Sequence, residues 1–204
     1  VCQTDDGRVA IGGGTTHAAI ARALDDTIPA LSALARGIGD PAVRARGTIG
    51  GSVANNDPSA CWPAAALGLG AEICSDRRRF AADAFFQGMF ATALDEGEIV
   101  TELRFPVPRR AAYTKFVQPA SRFALVGVFV GQVSDGVRVA VTGASEDGVF
   151  RWSEAEAALD DRFEAEALDG LTLPADGMIA DMHGSAAYRA HLVGVMARRA
   201  VAQS

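Results

Sequence analysis

The sequence predicts an α+β chain in two parts, and three observations carry that prediction. Up to residue 105, short apolar strands alternate with capped stretches of helical period. Pro106-Val107-Pro108 then interrupts regular structure before the exposed pair Arg109-Arg110. Beyond it, successive strand-like runs meet at a tight turn, the mark of an antiparallel sheet, before helices return. The boundary therefore falls after residue 107, giving parts 1–107 and 108–204.

Taken in order, Val9-Ala10-Ile11 reads as a buried strand feeding Gly12-Gly13-Gly14-Thr15-Thr16-His17. Either threonine caps the next helix, whose apolar side is Ile20, Ala23 and Leu24, and His17 reads as a first-turn surface residue. A dinucleotide-binding G-x-G-x-x-G needs a glycine where His17 stands, so the triple glycine is a strand-to-helix turn. A second helix starts near Pro29, carries Ile28, Leu31, Leu34, Ala35 and Ile38 at helical spacing, and ends at Gly37 or Gly39. Asp57-Pro58-Ser59 caps a helix through Trp62 and Leu67, and Ala71 to Cys74 is a strand. Asp83 to Phe90 sets Phe85, Phe86, Met89 and Phe90 on one side of a helix. Glu98 to Phe105 has the alternation of a two-faced strand.

In the second part, Ala112 to Val117, Phe123 to Val133 and Val137 to Gly143 read as antiparallel strands, the last two joined at Ser134-Asp135-Gly136. Ser153-Glu154-Ala155-Glu156 has a capping-box pattern. Ser185 caps a final helix with Tyr188, Leu192, Val195 and Met196 on one side.

Composition excludes several functions. The hydrophobic fraction of 49% and charged fraction of 22% are those of a globular chain. A net charge of −6 gives no reason to expect nucleic acid. Cys2, Cys61 and Cys74 are isolated, with no Cys-x-x-Cys and no paired histidines. This argues against a zinc or iron–sulfur site on this chain and points to a reducing cytoplasm. No apolar run approaches the roughly 20 residues of a membrane span. His17, His183 and His191 are scattered and no Gly-x-Ser-x-Gly occurs, which favours chemistry carried by a cofactor.

The stretch most suited to a ligand is Arg44-Ala45-Arg46-Gly47-Thr48-Ile49-Gly50-Gly51-Ser52-Val53-Ala54-Asn55-Asn56-Asp57-Pro58. Adjacent glycines let a ligand approach the backbone, and their N–H groups can converge on an anion beside the hydroxyls of Thr48 and Ser52. Glycines that serve packing alone are the alternative reading of the same spacing.

This stretch resembles the second flavin-contacting segment of the FAD-binding medium subunits of molybdenum hydroxylases. That group includes carbon monoxide dehydrogenase medium subunits and the xanthine dehydrogenase FAD-binding subunit. Their shared core is Thr/Ser-Ile/Val-Gly-Gly-Ser/Asn, led by an R-x-R-G-like segment and followed by Asp-Pro. The resemblance continues through Phe80 to Phe86, Gly97 to Pro106, Lys115 to Ala124 and His183 to Arg199.

It implies, over 1–107, the second subdomain of a p-cresol methylhydroxylase-like FAD-binding fold. Over 108–204 it implies a domain like the C-terminal domain of the carbon monoxide dehydrogenase flavoprotein, a three-stranded antiparallel sheet plus helices. The implied cofactor is FAD, contacted by Thr48, Ile49, Gly50, Gly51 and Ser52, with Asp57 nearby. Cys61 stands where the family commonly has an aspartate, so that contact is expected to weaken or reroute through Asn56 or Asp57. Val100 falls where relatives hold an apolar residue near the flavin. Val117 occupies a frequent lysine or arginine position, from whose face Lys115 could reach the same charge, and Phe123 falls near a tyrosine beside the ring.

The implied function is a cytoplasmic electron-transfer subunit. Electrons would pass from iron–sulfur clusters on a small subunit, fed by a molybdopterin large subunit, through FAD to an acceptor. Residues 1–47 contain no match to the Ala-Gly-Gly-x-Ser-Leu pyrophosphate segment of the family, so the N-terminal FAD subdomain is expected to be missing and FAD to be held less firmly or to be absent with it. A flavin-free structural or assembly subunit of the same type of complex is the alternative.

Overall fold

The computed structural model describes residues 1–204. The first part contains β1 (Cys2–Gln3), β2 (Val9–Gly12), α1 (His17–Ala23), α2 (Pro29–Arg36), α3 (Pro41–Arg46), α4 (Ile49–Asn55) and α5 (Cys61–Leu69). It continues with β3 (Glu72–Ser75), β4 (Arg79–Ala81), α6 (Ala82–Phe85), β5 (Phe86–Gly88), β6 (Ala91–Thr92) and β7 (Val100–Phe105). The second part has β8 (Arg110–Val117), β9 (Ala124–Val133), β10 (Gly136–Ser145), β11 (Gly148–Arg151), α7 (Ser153–Asp161) and α8 (Ala186–Gln203).

One five-stranded antiparallel sheet runs β1-β2-β7-β3-β4, so β7 returns from far along the chain to sit between β2 and β3. The second sheet runs β11-β10-β9-β8 and is buried on both faces over its middle strands. Phe129 and Ala140 face a core shared with Leu31, Leu34, Trp62 and Leu103 of the first part. Val128, Val130, Val139 and Val141 face α7 and α8 with Leu159, Val193 and Met196. Burial on both sides explains why β9 reads Ala-Leu-Val-Gly-Val-Phe-Val without polar alternation.

Helix α5 joins the two parts. Every residue from Cys61 to Leu69 is buried. Its Gly68 lets the helix close on β9, since a Cβ there would lie 2.6 Å from Phe129 Cδ1. Gly131 answers from the strand, where a Cβ would lie 2.5 Å from the Gly68 carbonyl. Close backbone contact of this kind excludes any larger residue at either position.

Several local expectations are corrected. The second sheet has four strands, because Gly148 (φ 87°) turns the chain back after Glu146-Asp147 and adds β11. The helix expected through Phe90 stops at Phe85. Asn56 Nδ2 donates to the carbonyls of Gly88 (2.7 Å) and Ala91 (2.9 Å), holding a hairpin there with Met89 and Phe90 exposed at its tip. Glu156 forms no capping box. It is buried, accepting from the Val139 N–H (2.9 Å) and from Arg151, and Trp152 occupies the cap position. Ala21, not Ala23, joins Ile20 and Leu24 in the core. On α8, Tyr188 is exposed and Arg189 is buried in its place.

Candidate functional site

Locally, the glycine stretch is a helix start rather than an open turn. Thr48 caps α4, its Oγ1 accepting from the Gly51 N–H at 3.2 Å. The main-chain donors are already used: Ile49 N–H bonds Thr15 O (3.1 Å), Gly50 N–H bonds Gly13 O (2.9 Å) and Ser52 N–H bonds Thr48 O (3.0 Å). The expected convergence of these N–H groups on an anion is therefore corrected. Gly50 serves packing, since a Cβ there would stand 2.8 Å from Gly13 Cα. Gly13 in turn lies under Val100, whose carbonyl would be 2.3 Å from a Cβ on Gly13. Ile49 is fully buried in the core, while Gly51 is exposed and Ser52 half-buried.

Just past these residues the two parts of the chain enclose a cavity of about 250 Å³. Ser52, Asp57 and Cys61 line it from the first part, and Lys115 and Phe123 from the second. Ile38, Gly39 and Val43 form an apolar wall. Five residues singled out from sequence thus meet in one place although 71 positions separate Ser52 from Phe123 (123 − 52). Thr48, Ile49, Gly50, Gly51 and Val100 do not line it, and Val117 is exposed outside it.

The cavity floor is fixed by bonds between the parts. Thr142 Oγ1 lies between the carbonyls of Pro58 (2.9 Å) and Ala60 (2.8 Å), which share its one proton, and the Gly143 N–H donates to Pro58 O (2.7 Å). Asp57 Oδ1 accepts from the Ser59 N–H at 2.8 Å, which sets the turn into α5 without capping it. Asn56 is buried and spent on the β5–β6 hairpin, so it is not available for the rerouted contact. Below the floor, burial pushes the Tyr113 phenol well up, with the adjacent Cys61 thiol acting in the same direction. The phenol is held protonated, and its Oη has no partner.

Sequence reasoning missed His17. It is only 4% exposed, and its Nδ1 accepts from Trp62 Nε1 at 3.1 Å, joining α1 to α5 behind the glycine helix. Burial lowers its pKa, so the imidazole is neutral with the proton on Nε2. The available signal was Trp62, a buried indole that needs an acceptor.

The donor set suits a flat ring with polar edges. Phe123 and Ile38 offer apolar surface, and Ser52, Ser59 and Ser121 offer hydroxyls. At about 250 Å³ the volume is just below the range of ligand pockets, which starts at about 300 Å³, so it suits a ring system rather than an extended dinucleotide.

Comparison with known proteins agrees with this chemistry. Residues 1–108 match the family described as the FAD binding domain in molybdopterin dehydrogenase. The chain is 33% identical to the nicotine 6-hydroxylase medium subunit of Paenarthrobacter nicotinovorans, over 96% of this chain and 75% of that one. It is 31% identical to the carbon monoxide dehydrogenase medium chain of Afipia carboxidovorans, over 95% and 73% respectively. Among solved structures, a chain of reconstituted CO dehydrogenase from Oligotropha carboxidovorans superposes with a TM-score of 0.86 at 30% identity, covering 98% of this chain and 76% of that one.

Proposed function

From the premise that this chain belongs to the FAD-binding family of molybdopterin dehydrogenases, as a medium subunit of the molybdenum hydroxylase type, we propose that its cavity between the two parts receives the flavin ring. The chain is an oxidoreductase subunit whose cofactor is FAD. In this reading the chain would hold FAD as the redox relay between iron–sulfur clusters on a small subunit and an acceptor, with substrate oxidation on a molybdopterin large subunit. FAD supplies the redox chemistry when bound, and this chain supplies position and electrostatics.

Each residue then has a task at a stated atom. Ser52 Oγ, at the edge of α4, donates or accepts at the polar margin of the ring. Gly51 has no Cβ to hold a ligand off the helix. Asp57 has one carboxylate oxygen left after Oδ1 takes the Ser59 N–H. Phe123 and Ile38 would offer the ring apolar surface that keeps water away. Thr48, Ile49, Gly50 and Val100 fix α4 on the Gly13 turn and so set where Ser52 sits. Cys61 borders the cavity as a thiol where relatives commonly have a carboxylate, and Val117 is the least favoured of the proposed contacts because it is exposed.

The finer fold reading follows the same division. Residues 1–107 are proposed as the second subdomain of a p-cresol methylhydroxylase-like FAD fold, and 108–204 as the C-terminal domain that closes the ring site. No helix is long and apolar enough to cross a membrane. We place the complex in the cytoplasm, in keeping with three unpaired cysteines.

The observation that carries this proposal is the meeting of Ser52, Asp57, Cys61, Lys115 and Phe123 around one cavity. The test is a titration of FAD into the chain, alone and with its partner subunits, read by flavin fluorescence. Phe123→Ala should weaken binding at least about fivefold, in line with an aromatic contact of about 1 kcal/mol beyond area burial, and Ser52→Ala by less. Binding unchanged in both variants places the ring elsewhere, and no binding in any form leaves the assembly subunit as the reading.

A further inference from the structure

Lys115 is the only lysine in the chain, where every other basic side chain is arginine or histidine. Its Nζ stands where three elements converge. It donates to the Gly37 carbonyl at the end of α2 (2.8 Å) and to the Arg122 carbonyl in the β8–β9 connection (2.9 Å). Its third near neighbour is Cys61 Sγ at the start of α5, 3.7 Å away. An ammonium has three tetrahedrally placed donors, and here each has its own acceptor. A guanidinium, planar and forked, cannot point at three such positions from one atom.

We infer that Lys115 is a positioning residue, a cross-tie that holds the shape of the ring cavity rather than a direct partner of the cofactor's charge. The tie reaches Phe123 through its neighbour. Arg122 sits at φ 61°, a left-handed conformation that a non-glycine residue adopts only when held. Its N–H donates to Gln118 O (2.8 Å), the Gln118 N–H donates to Phe123 O (3.0 Å), and Lys115 binds the Arg122 carbonyl from below. On the opposite face of β8, Thr114 Oγ1 bonds Met196 O (2.7 Å), so the strand that carries Lys115 is itself anchored to α8. Without the ammonium, nothing else links the Arg122 carbonyl to the end of α2.

This inference rests on the flavin reading for its consequence but not for its geometry, and two readouts separate them. In the flavin-free chain, Lys115→Met should speed tryptic cleavage after Arg122 about tenfold, the loss expected from one charge-assisted hydrogen bond. The same variant should weaken FAD binding by a similar factor, and Lys115→Arg should restore neither. Unchanged cleavage overturns the cross-tie. Full recovery of FAD affinity in Lys115→Arg also overturns it, because a bare charge would then suffice. If the unaltered chain binds no FAD but Lys115→Met is cleaved faster, the tie stands and the flavin reading falls. A measurement without substitution guards against a variant that fails to fold. An amine-acylating reagent should modify Lys115 at least tenfold more slowly in the native chain than in urea, and equal rates would overturn the tie.

Discussion

The two ends of α5 are built for different work. At Cys61 the parts of the chain are joined by the Lys115 ammonium and by neutral bonds from Thr142 and Gly143 to the Pro58 and Ala60 carbonyls, and they leave an apolar wall facing hydroxyls that have no partner in the protein. At Leu69 they are joined by ions. Arg138 Nε donates to Leu67 O (2.7 Å) and its Nη2 pairs with Asp83, which also takes Arg151 Nη1 at 3.1 Å. Arg151 in turn grips Glu156 with two bonds of 2.7 Å. The crevice at this end is the larger, about 620 Å³, and is bordered by Asp6, Arg8, Asp83 and Arg138. Its principal charges are already paired, so little is left to bind a ligand. Size does not mark the site; uncommitted donors beside apolar surface do.

The sharpest way to break the contrast is to separate the parts where the last turn of α5 touches β9. Gly131→Val would place a Cβ 2.5 Å from the Gly68 carbonyl and 2.8 Å from Leu69 Cδ2. Overpacking against backbone should cost about 3 kcal/mol or more, seen as a lower urea midpoint, and both ends should be lost together.

A second pair of variants distinguishes packing from ligand contact within the glycine helix. Gly50→Ala meets the Gly13 backbone at 2.7–2.8 Å and should destabilise the fold by about 2 kcal/mol. Gly51→Ala faces only Thr48 Oγ1 at 3.0 Å, in an exposed helical position where alanine is favoured by up to about 1 kcal/mol. Its stability should hold while FAD affinity falls. If both variants lose stability equally, Gly51 has no separate role.

The ion cluster can then be weakened alone. Burial pushes the Asp83 carboxyl up, but Arg138 and Arg151 outweigh it and hold the carboxyl below the ordinary carboxylate value. Asp83→Asn should cost about 1 kcal/mol at low salt, and less as salt screens the pairs. FAD affinity should not change, which a fluorescence titration checks.

What sequence could and could not reveal follows from how far each determinant lies from its cause. β2, β7, β9 and β10, and the caps of α1 and α8 by Thr16 and Ser185, are written in local pattern and were legible. The glycine pair was legible as a close approach but not as a helix. Its partner Gly13 lies far back in the chain, and glycine is a poor helix former away from such a contact. The Phe85–Phe90 stretch has helical spacing, yet Asn56 captures its carbonyls from another element. Glu156 likewise leaves its local cap for a buried strand N–H. For the cavity, the resemblance brought forward Ser52, Asp57, Cys61, Lys115 and Phe123, but periodicity alone gave no means of seeing that Lys115 would spend its donors on protein acceptors.

The smallest effect expected is also the one that tells two regions apart by pH. His17 lies behind the glycine helix, and burial lowers its pKa from the ordinary 6.5. The unfolded chain therefore binds a proton that the native imidazole refuses, and stability rises with pH in that window. Its contribution is complete above 6.5 and falls as pH drops from there toward the native value, where protonation also ends acceptance from Trp62. Glu98, at the far margin of the first sheet, works lower down. Hydrogen bonds from Arg78, then from the Asp95 N–H and Ser75, hold it at about 2, below the ordinary 4.5. Its contribution is present above 4.5 and lost as pH falls through about 2. Urea midpoints measured from pH 8 to pH 3 should thus decline in two stages. His17→Gln should remove the upper stage and leave the lower, whereas Glu98→Gln should flatten only the lower. A single decline unaffected by His17→Gln would mean that the His17–Trp62 bond does not govern how α1 is held to α5.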